Sequence, residues 1–192
     1  MTERRLFVAV PLDEPALRTV TDLVERIRAD RERDAPGERD VRWVRMDGLH
    51  LTLRFLGSIE EELLAGIVGR LKKVAARHAP FEAQVRGLGA FPDGQHPRVL
   101  WAGVEGEAVV KLQRDVEAAV VELGFAPENV EKPFHPHITL GRVKESRPMP
   151  EWVSPLEFGG GLLEEIVVYE SRTHSSGPEY VARARVALGK GD

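Results

Sequence analysis

The chain has no cysteine. Disulfides, thiolate-held zinc and thiol nucleophiles are excluded together, and nothing in the covalent chemistry asks for an oxidising compartment. Long apolar runs are missing too: none approaches the roughly 18 residues that a bilayer-spanning helix needs. The opening run Leu6-Phe-Val-Ala-Val10, after Met1-Thr-Glu-Arg-Arg5, lacks the length and the cleavage-like flank of a secretory leader and reads as a β-strand. A cytoplasmic location without membrane contact is expected. Nor is there an excess of positive charge. With 27 Lys and Arg against 31 Asp and Glu, the formal net charge is -4. That argues against coating long nucleic acid through counterion release, but it allows a partner held by one phosphate or one chain end. The basic clusters at 26–33 and at Lys72, Lys73 and Arg77 fall on helices and read as solvated faces.

What is present suits a globular protein: 192 residues, 42% hydrophobic and 30% charged, enough for one sizeable core. Strands are expected at 6–10, 41–45, 49–56, 81–88, 98–104, 133–142, 163–171 and 180–187. Pro11-Leu12-Asp13 supplies a turn and an N-cap for a helix over 14–29, with Leu17, Val20, Leu23, Val24 and Ile27 on one face. Residues 30–40, charged and carrying Pro36-Gly37, read as a loop. Gly57-Ser58 is expected to end a strand, and Ser58 with Glu61 to form a capping box for a helix reaching about Arg77. A third helix over 107–123 stops at Gly124. Hairpin-like pairs at 41–56, 81–104 and 163–187 imply antiparallel sheets with helices packed outside, an α+β fold in a single domain with two pseudo-symmetric lobes.

One pattern occurs twice. His50-Leu51-Thr52-Leu53 and His137-Ile138-Thr139-Leu140 each set a histidine and a threonine two apart between apolar residues. On a strand the polar pair lines one face and the apolar residues the other. With six histidines and six threonines in the chain, chance gives about 0.03 such matches, so two are not accidental. By the same parity Leu51, Leu53 and Phe55 face the core, while Arg54 joins His50 and Thr52 about 13 Å along the strand, as a rim ion pair or an RNA phosphate contact.

Histidine titrates near neutrality, so two of them can serve as one acid and one base. Two threonine hydroxyls can hold the non-bridging oxygens of a phosphate between them. This is equipment for in-line displacement at phosphorus, and it suits the opening of a cyclic phosphodiester, which needs water, a base, an acid and charge stabilisation but no cofactor or metal. The main rival is zinc held by His135, His137 and His50; it leaves the two threonines without a task. Phe7, Phe134 and Trp43 are candidates for either base stacking or the core, with the core favoured for Phe7. His78, His96 and His174 lack any motif context and are expected at the surface.

In these residues the chain resembles the 2H phosphoesterase superfamily. Within it, Leu49-His-Leu-Thr-Leu-Arg-Phe-Leu-Gly57 and Pro133-Phe-His-Pro-His-Ile-Thr-Leu-Gly-Arg142, with Arg5-Leu-Phe-Val-Ala-Val10 and Arg98-Val-Leu-Trp-Ala-Gly-Val104, are similar to the RNA 2',3'-cyclic phosphodiesterases formerly named 2'-5' RNA ligases. The resemblance implies two antiparallel sheets facing each other across a central cleft. It also implies hydrolysis of RNA 2',3'-cyclic phosphate ends, or of nucleoside 2',3'-cyclic phosphates, to 2'-phosphates, without a cofactor; a monomer is expected. His50 then matches the proton donor to the leaving O3', His137 the acceptor that activates water, and Thr52 and Thr139 the phosphate-binding threonines. Arg142 matches a basic position that neutralises the phosphate, although strict alternation turns it away from the site unless a bulge intervenes at Gly141. A 2'-5' phosphodiesterase or ligase, or a nucleotide-binding module that keeps the cradle without chemistry, are the alternatives.

Overall fold

The computed structural model describes residues 3–34, 41–128, 133–144, 157–174 and 177–189. The apolar opening run forms β1 (Glu3–Pro11), whose alternation sends Leu6, Val8 and Val10 into the main core and Arg5, Phe7 and Ala9 to the opposite face. Asp13 then caps α1 (Glu14–Asp34). Its Oδ1 accepts from the Ala16 N–H at 2.9 Å, and its Oδ2 accepts from the Leu162 N–H at 2.8 Å. The helix runs to Asp34, past the expected end, because no Pro or Gly interrupts it before Pro36 and an Asp30–Arg33 pair at 3.0 Å supports its last turns. The rest of the expected loop, 35–40, lies outside the described residues.

The remaining elements are β2 (Val41–Trp43), β3 (His50–Glu60), α2 (Leu64–Ala75), β4 (Phe81–Phe91), β5 (Val99–Glu105), α3 (Glu107–Val121), β6 (His137–Val143), β7 (Glu157–Leu163), β8 (Glu165–His174) and β9 (Gly177–Ala187). All ladders are antiparallel, in the order β7-β4-β5-β6-β3-β1-β8-β9, with β2 added on β6. The fold is α+β, as expected, with a curled antiparallel sheet and, among the described residues, three α-helices. The two strand groups β7-β4-β5-β6 and β3-β1-β8-β9 join at a single paired position, Leu51↔Ile138. Both residues are fully buried in the main core. Among the described residues, no helix is long and apolar enough to cross a membrane.

Several local expectations give way to tertiary pairing. β2 does not form a hairpin with β3; it pairs with β6, which Gly141 permits because a Cβ there would lie 2.8 Å from Val41 Cγ1. β3 does not stop at Gly57-Ser58. It continues along β1 as far as Glu60↔Glu3, and Ser58 Oγ donates to Glu3 Oε2 at 2.8 Å instead of capping a helix. α2 accordingly begins only at Leu64, after a 3-10 turn over Glu61–Leu63. β7 went unforeseen because Gly159-Gly160-Gly161 interrupts any strand pattern. Those glycines are what let α1 sit close: a Cβ on Gly161 would come within 2.5 Å of Ala16 Cβ. His78 is buried rather than superficial, and its Nε2 lies 2.8 Å from Asp115 Oδ2, joining the end of α2 to α3. His96 and His174 are exposed.

Candidate active site

The Leu51↔Ile138 pair fixes what surrounds it. Continuing the antiparallel register by one residue each way sets His50 across from Thr139 and Thr52 across from His137, all four on the face opposite the buried Leu51 and Ile138. A pseudo-two-fold axis therefore passes between Leu51 and Ile138. The two histidines are diagonal neighbours across it, close enough that charge on His137 disfavours charge on His50.

The local geometry around the two rings is the same. His50 Nδ1–H donates to the Gly48 carbonyl at 2.8 Å, and His137 Nδ1–H donates to the His135 carbonyl at 2.7 Å. A carbonyl only accepts, so each bond sets the tautomer and leaves Nε2 as the reactive nitrogen. Each ring also sits among aromatics. His50 has Phe7 at 4.9 Å, Tyr180 edge-on at 5.1 Å and Tyr169 at 5.9 Å between ring centroids. His137 has Phe91 edge-on at 5.0 Å and Trp101 at 6.4 Å. Burial among these rings drives the His50 pKa down to about 4, against the upward pull of its Gly48 bond. Burial likewise lowers that of His137.

Register shifts, two in the β1–β3 ladder and one in the β5–β6 ladder, decide which further side chains reach this face. Between β5 and β6 the register steps from Trp101↔Thr139 to Leu100↔Gly141, so Leu140 is an extra residue. Arg142 then stands opposite Val99 and turns onto the face of Thr139, exposed, with its charge acting on the Tyr180 hydroxyl. Between β1 and β3 the register steps from Ala9↔Thr52 to Val8↔Arg54, with Leu53 as the extra residue. That reverses the parity expected for the next two positions. Arg54 points to the helix side, only 5% exposed, with Nε 2.9 Å from Glu117 Oε2 and Nη1 3.0 Å from Glu128 Oε2. Phe55, expected in the core, lies instead on the site face opposite Phe7 and is 55% exposed.

The other sequence candidates fall into place around the four motif residues. Phe7 is buried, yet it belongs to the site face, beneath His50. Trp43 and Phe134 pack against the core. His135 rests on Trp101, with ring centroids 4.5 Å apart, and its ring is 6.3 Å from that of His137. Among the described residues no three His, Cys, Asp or Glu side chains converge as a metal-ligand set. Tyr169, Tyr180, Phe91 and Trp101 were not anticipated. They lie on strands far from either motif, and only the sheet order brings them to it.

Comparison with known proteins gives the family of the chain. The model of the 2'-5' RNA ligase superfamily matches residues 12–167. A Methanothermobacter thermautotrophicus protein named RNA 2',3'-cyclic phosphodiesterase is 36% identical over 183 residues, covering 92% of this chain and 94% of its own. An Archaeoglobus fulgidus protein of the same name is 37% identical over 181 residues, covering 92% and 96%. Among solved structures, a Thermus thermophilus protein superposes with a TM-score of 0.83 at 34% identity, covering 97% of this chain and 98% of its own. Apo E. coli LigT superposes with a TM-score of 0.74 at 25% identity, covering 99% and 100%. With two His-x-Thr strands crossing at one buried pair and relatives that match it nearly end to end, the chain belongs to the 2'-5' RNA ligase superfamily of 2H phosphoesterases.

Proposed function

We propose that the protein is a hydrolase that opens RNA 2',3'-cyclic phosphate ends to 2'-phosphates, by metal-independent catalysis through His50 and His137. The observation that carries this reading is the pseudo-symmetric pair of imidazoles, each held by a backbone carbonyl at Nδ1 so that Nε2 is the reactive nitrogen, beside two threonines on the same face. Curated relatives bear the name RNA 2',3'-cyclic phosphodiesterase. E. coli LigT has been solved with phosphate, with 3'-AMP and with NADP+, all of which present a phosphate.

In this mechanism His137 takes a proton from water, the water oxygen bonds to phosphorus in line with O3', the P–O3' bond breaks, and His50 delivers its proton to O3'. A 2'-phosphate and a 3'-hydroxyl remain, with atoms and charge in balance. The Thr52 and Thr139 hydroxyls donate to the non-bridging oxygens, and Arg142 offsets the developing negative charge. The roles suit the surroundings. Deeper burial among aromatics makes protonated His50 the stronger acid, and the incoming phosphate anion is what favours its protonation. His137, less enclosed, activates water. The lack of cysteine supports a cytoplasmic setting, and a monomer suffices, since one chain supplies both halves of the cradle.

The test is incubation of the purified protein, with and without chelator, with a short RNA ending in a 2',3'-cyclic phosphate. The expected product has gained one water, carries its phosphate on O2', and forms at the same rate with chelator. An unchanged substrate, a 3'-phosphate, or loss of activity restored by Zn²⁺ would each defeat the proposal.

A further inference from the structure

The bulge at Leu53 leaves a large aromatic ring exposed where the strand pattern alone would bury one. Phe55 stands in the row next to Thr52 on the site face, with its ring centroid 6.0 Å from that of Phe7, which in turn is 4.9 Å from His50. At 55% exposure the ring adds little to the core, and its neighbours Leu53 and Leu56 are buried. One exposed aromatic is ordinary by itself. What distinguishes this one is the residue beside it.

Arg5 lies one row further along the same face, two residues before Phe7 on β1 and about 7 Å from it along the strand. It is exposed and has no carboxylate partner among the described residues. Its chain neighbour Arg4, on the other face, shows the contrast: it is bound to Glu61 and to Glu170, the latter at 2.9 Å, within a network that also takes in Arg172 and Arg183. Burial raises the Tyr180 pKa, and the charges of Arg142 and Arg5 both pull it down, so both guanidinium groups add positive charge to this face. The face thus offers, in order from the two threonines, a flat exposed apolar ring and then an uncompensated guanidinium. That sequence of chemistry matches a nucleotide laid along β1 and β3 with its 2',3'-phosphate in the cradle.

We infer that Phe55 and Arg5 form a seat for the terminal nucleotide, the ring stacking on its base and the guanidinium binding the phosphate on its 5' side, so that the enzyme selects chain ends over nucleoside 2',3'-cyclic phosphates. The inference rests on the reading of the cradle given above and names the part of the substrate that the cradle itself cannot recognise. Stacking on an aromatic ring tolerates any base, and a guanidinium on a backbone phosphate carries no sequence information, so the seat is blind to the identity of the base.

The experiment compares kcat/KM for a nucleoside 2',3'-cyclic phosphate bearing a 5'-hydroxyl with that for the same compound bearing a 5'-phosphate. The wild type is expected to favour the 5'-phosphorylated compound by about tenfold, and Arg5→Gln to bring that ratio close to one while Arg5→Lys keeps part of it. Phe55→Ala is expected to raise KM about tenfold on both compounds, with Phe55→Tyr restoring it and Phe55→Leu not, because a flat ring and not mere apolarity is required. A ratio near one in the wild type, a ratio untouched by Arg5→Gln, or an unchanged KM in Phe55→Ala would overturn the seat. If neither compound is turned over, the catalytic reading fails by itself. Calorimetric binding of the nucleoside 2'-phosphate and the 2',5'-bisphosphate then reads the same ratio, and the seat stands or falls on that.

Discussion

Leu51 and Ile138 face each other at the one step where the two strand groups are hydrogen-bonded together, and the four motif residues flank that step on its other face. The same pair therefore carries two loads, core packing and the registration of one His-x-Thr motif against the other. Leu51→Ala or Ile138→Ala should cost about 2–5 kcal/mol of stability, read by denaturant unfolding. Activity of the remaining folded protein should fall as well, by about tenfold, because the halves lose their common anchor. A variant that loses stability but keeps full turnover per folded molecule would show that the halves register without this contact.

His50→Ala and His137→Ala should each lower kcat by roughly 100- to 10,000-fold, the span of general acid–base catalysis, with little change in thermal unfolding. Thr52→Ala and Thr139→Ala should lose less, roughly tenfold to 100-fold, since each removes one donor from a phosphate that keeps others. Steady-state kinetics alongside calorimetry will separate these outcomes. A histidine variant with wild-type turnover would remove that residue from the mechanism.

The pH dependence follows from the aromatic surroundings. His50 titrates near 4 when folded, against about 6.5 in an unfolded chain. As pH falls below about 6.5 the unfolded chain binds a proton that the folded one refuses, so this contribution to stability is present above 6.5 and is lost as pH drops through about 4. His137 is shifted in the same direction. With both free-enzyme values below 6.5, the optimum of kcat/KM should lie below pH 6.5, and that of kcat should lie higher, because bound phosphate favours the imidazolium. In a histidine NMR titration, His50 should be neutral at pH 6 in the free protein and move upward by a unit or more on adding inorganic phosphate. An unmoved titration would separate His50 from the anion site.

The sequence disclosed the four motif residues because their chemistry depends only on alternation over three positions, the shortest range at which strand geometry can be read. It disclosed less wherever pairing with a distant strand overrides local pattern. The bulges at Leu53 and Leu140 are properties of two strands at once. Parity carried past them placed Arg54 at the rim and Phe55 in the core, and left Arg142 undecided. The triple glycine of β7 hid a strand for the opposite reason, since what it accommodates is α1, at the far end of the chain. Tyr169 and Tyr180 reach His50 through the order of strands, which no spacing along the chain records.

Arg54 gives the sharpest contrast between the two descriptions of β3. On simple alternation it would lie at the rim, in an ion pair or on an RNA phosphate, and in the latter case its loss would weaken substrate binding and reduce the salt dependence of KM. In the structure it is buried on the helix side, held by Glu117, Glu128 and the Ala126 carbonyl, and so ties β3 to α3 and to the segment that follows it. Replacing it by Met leaves two carboxylates facing each other without a cation. Arg54→Met should therefore cost about 3 kcal/mol of stability, while kcat and KM per folded molecule stay within about threefold of wild type and the salt dependence of KM does not change. The triple change Arg54→Met, Glu117→Gln and Glu128→Gln should recover part of the lost stability, because it removes the stranded charges along with their partner. A raised KM in a fully folded Arg54→Met protein would return this residue to the substrate path and place the bulge elsewhere.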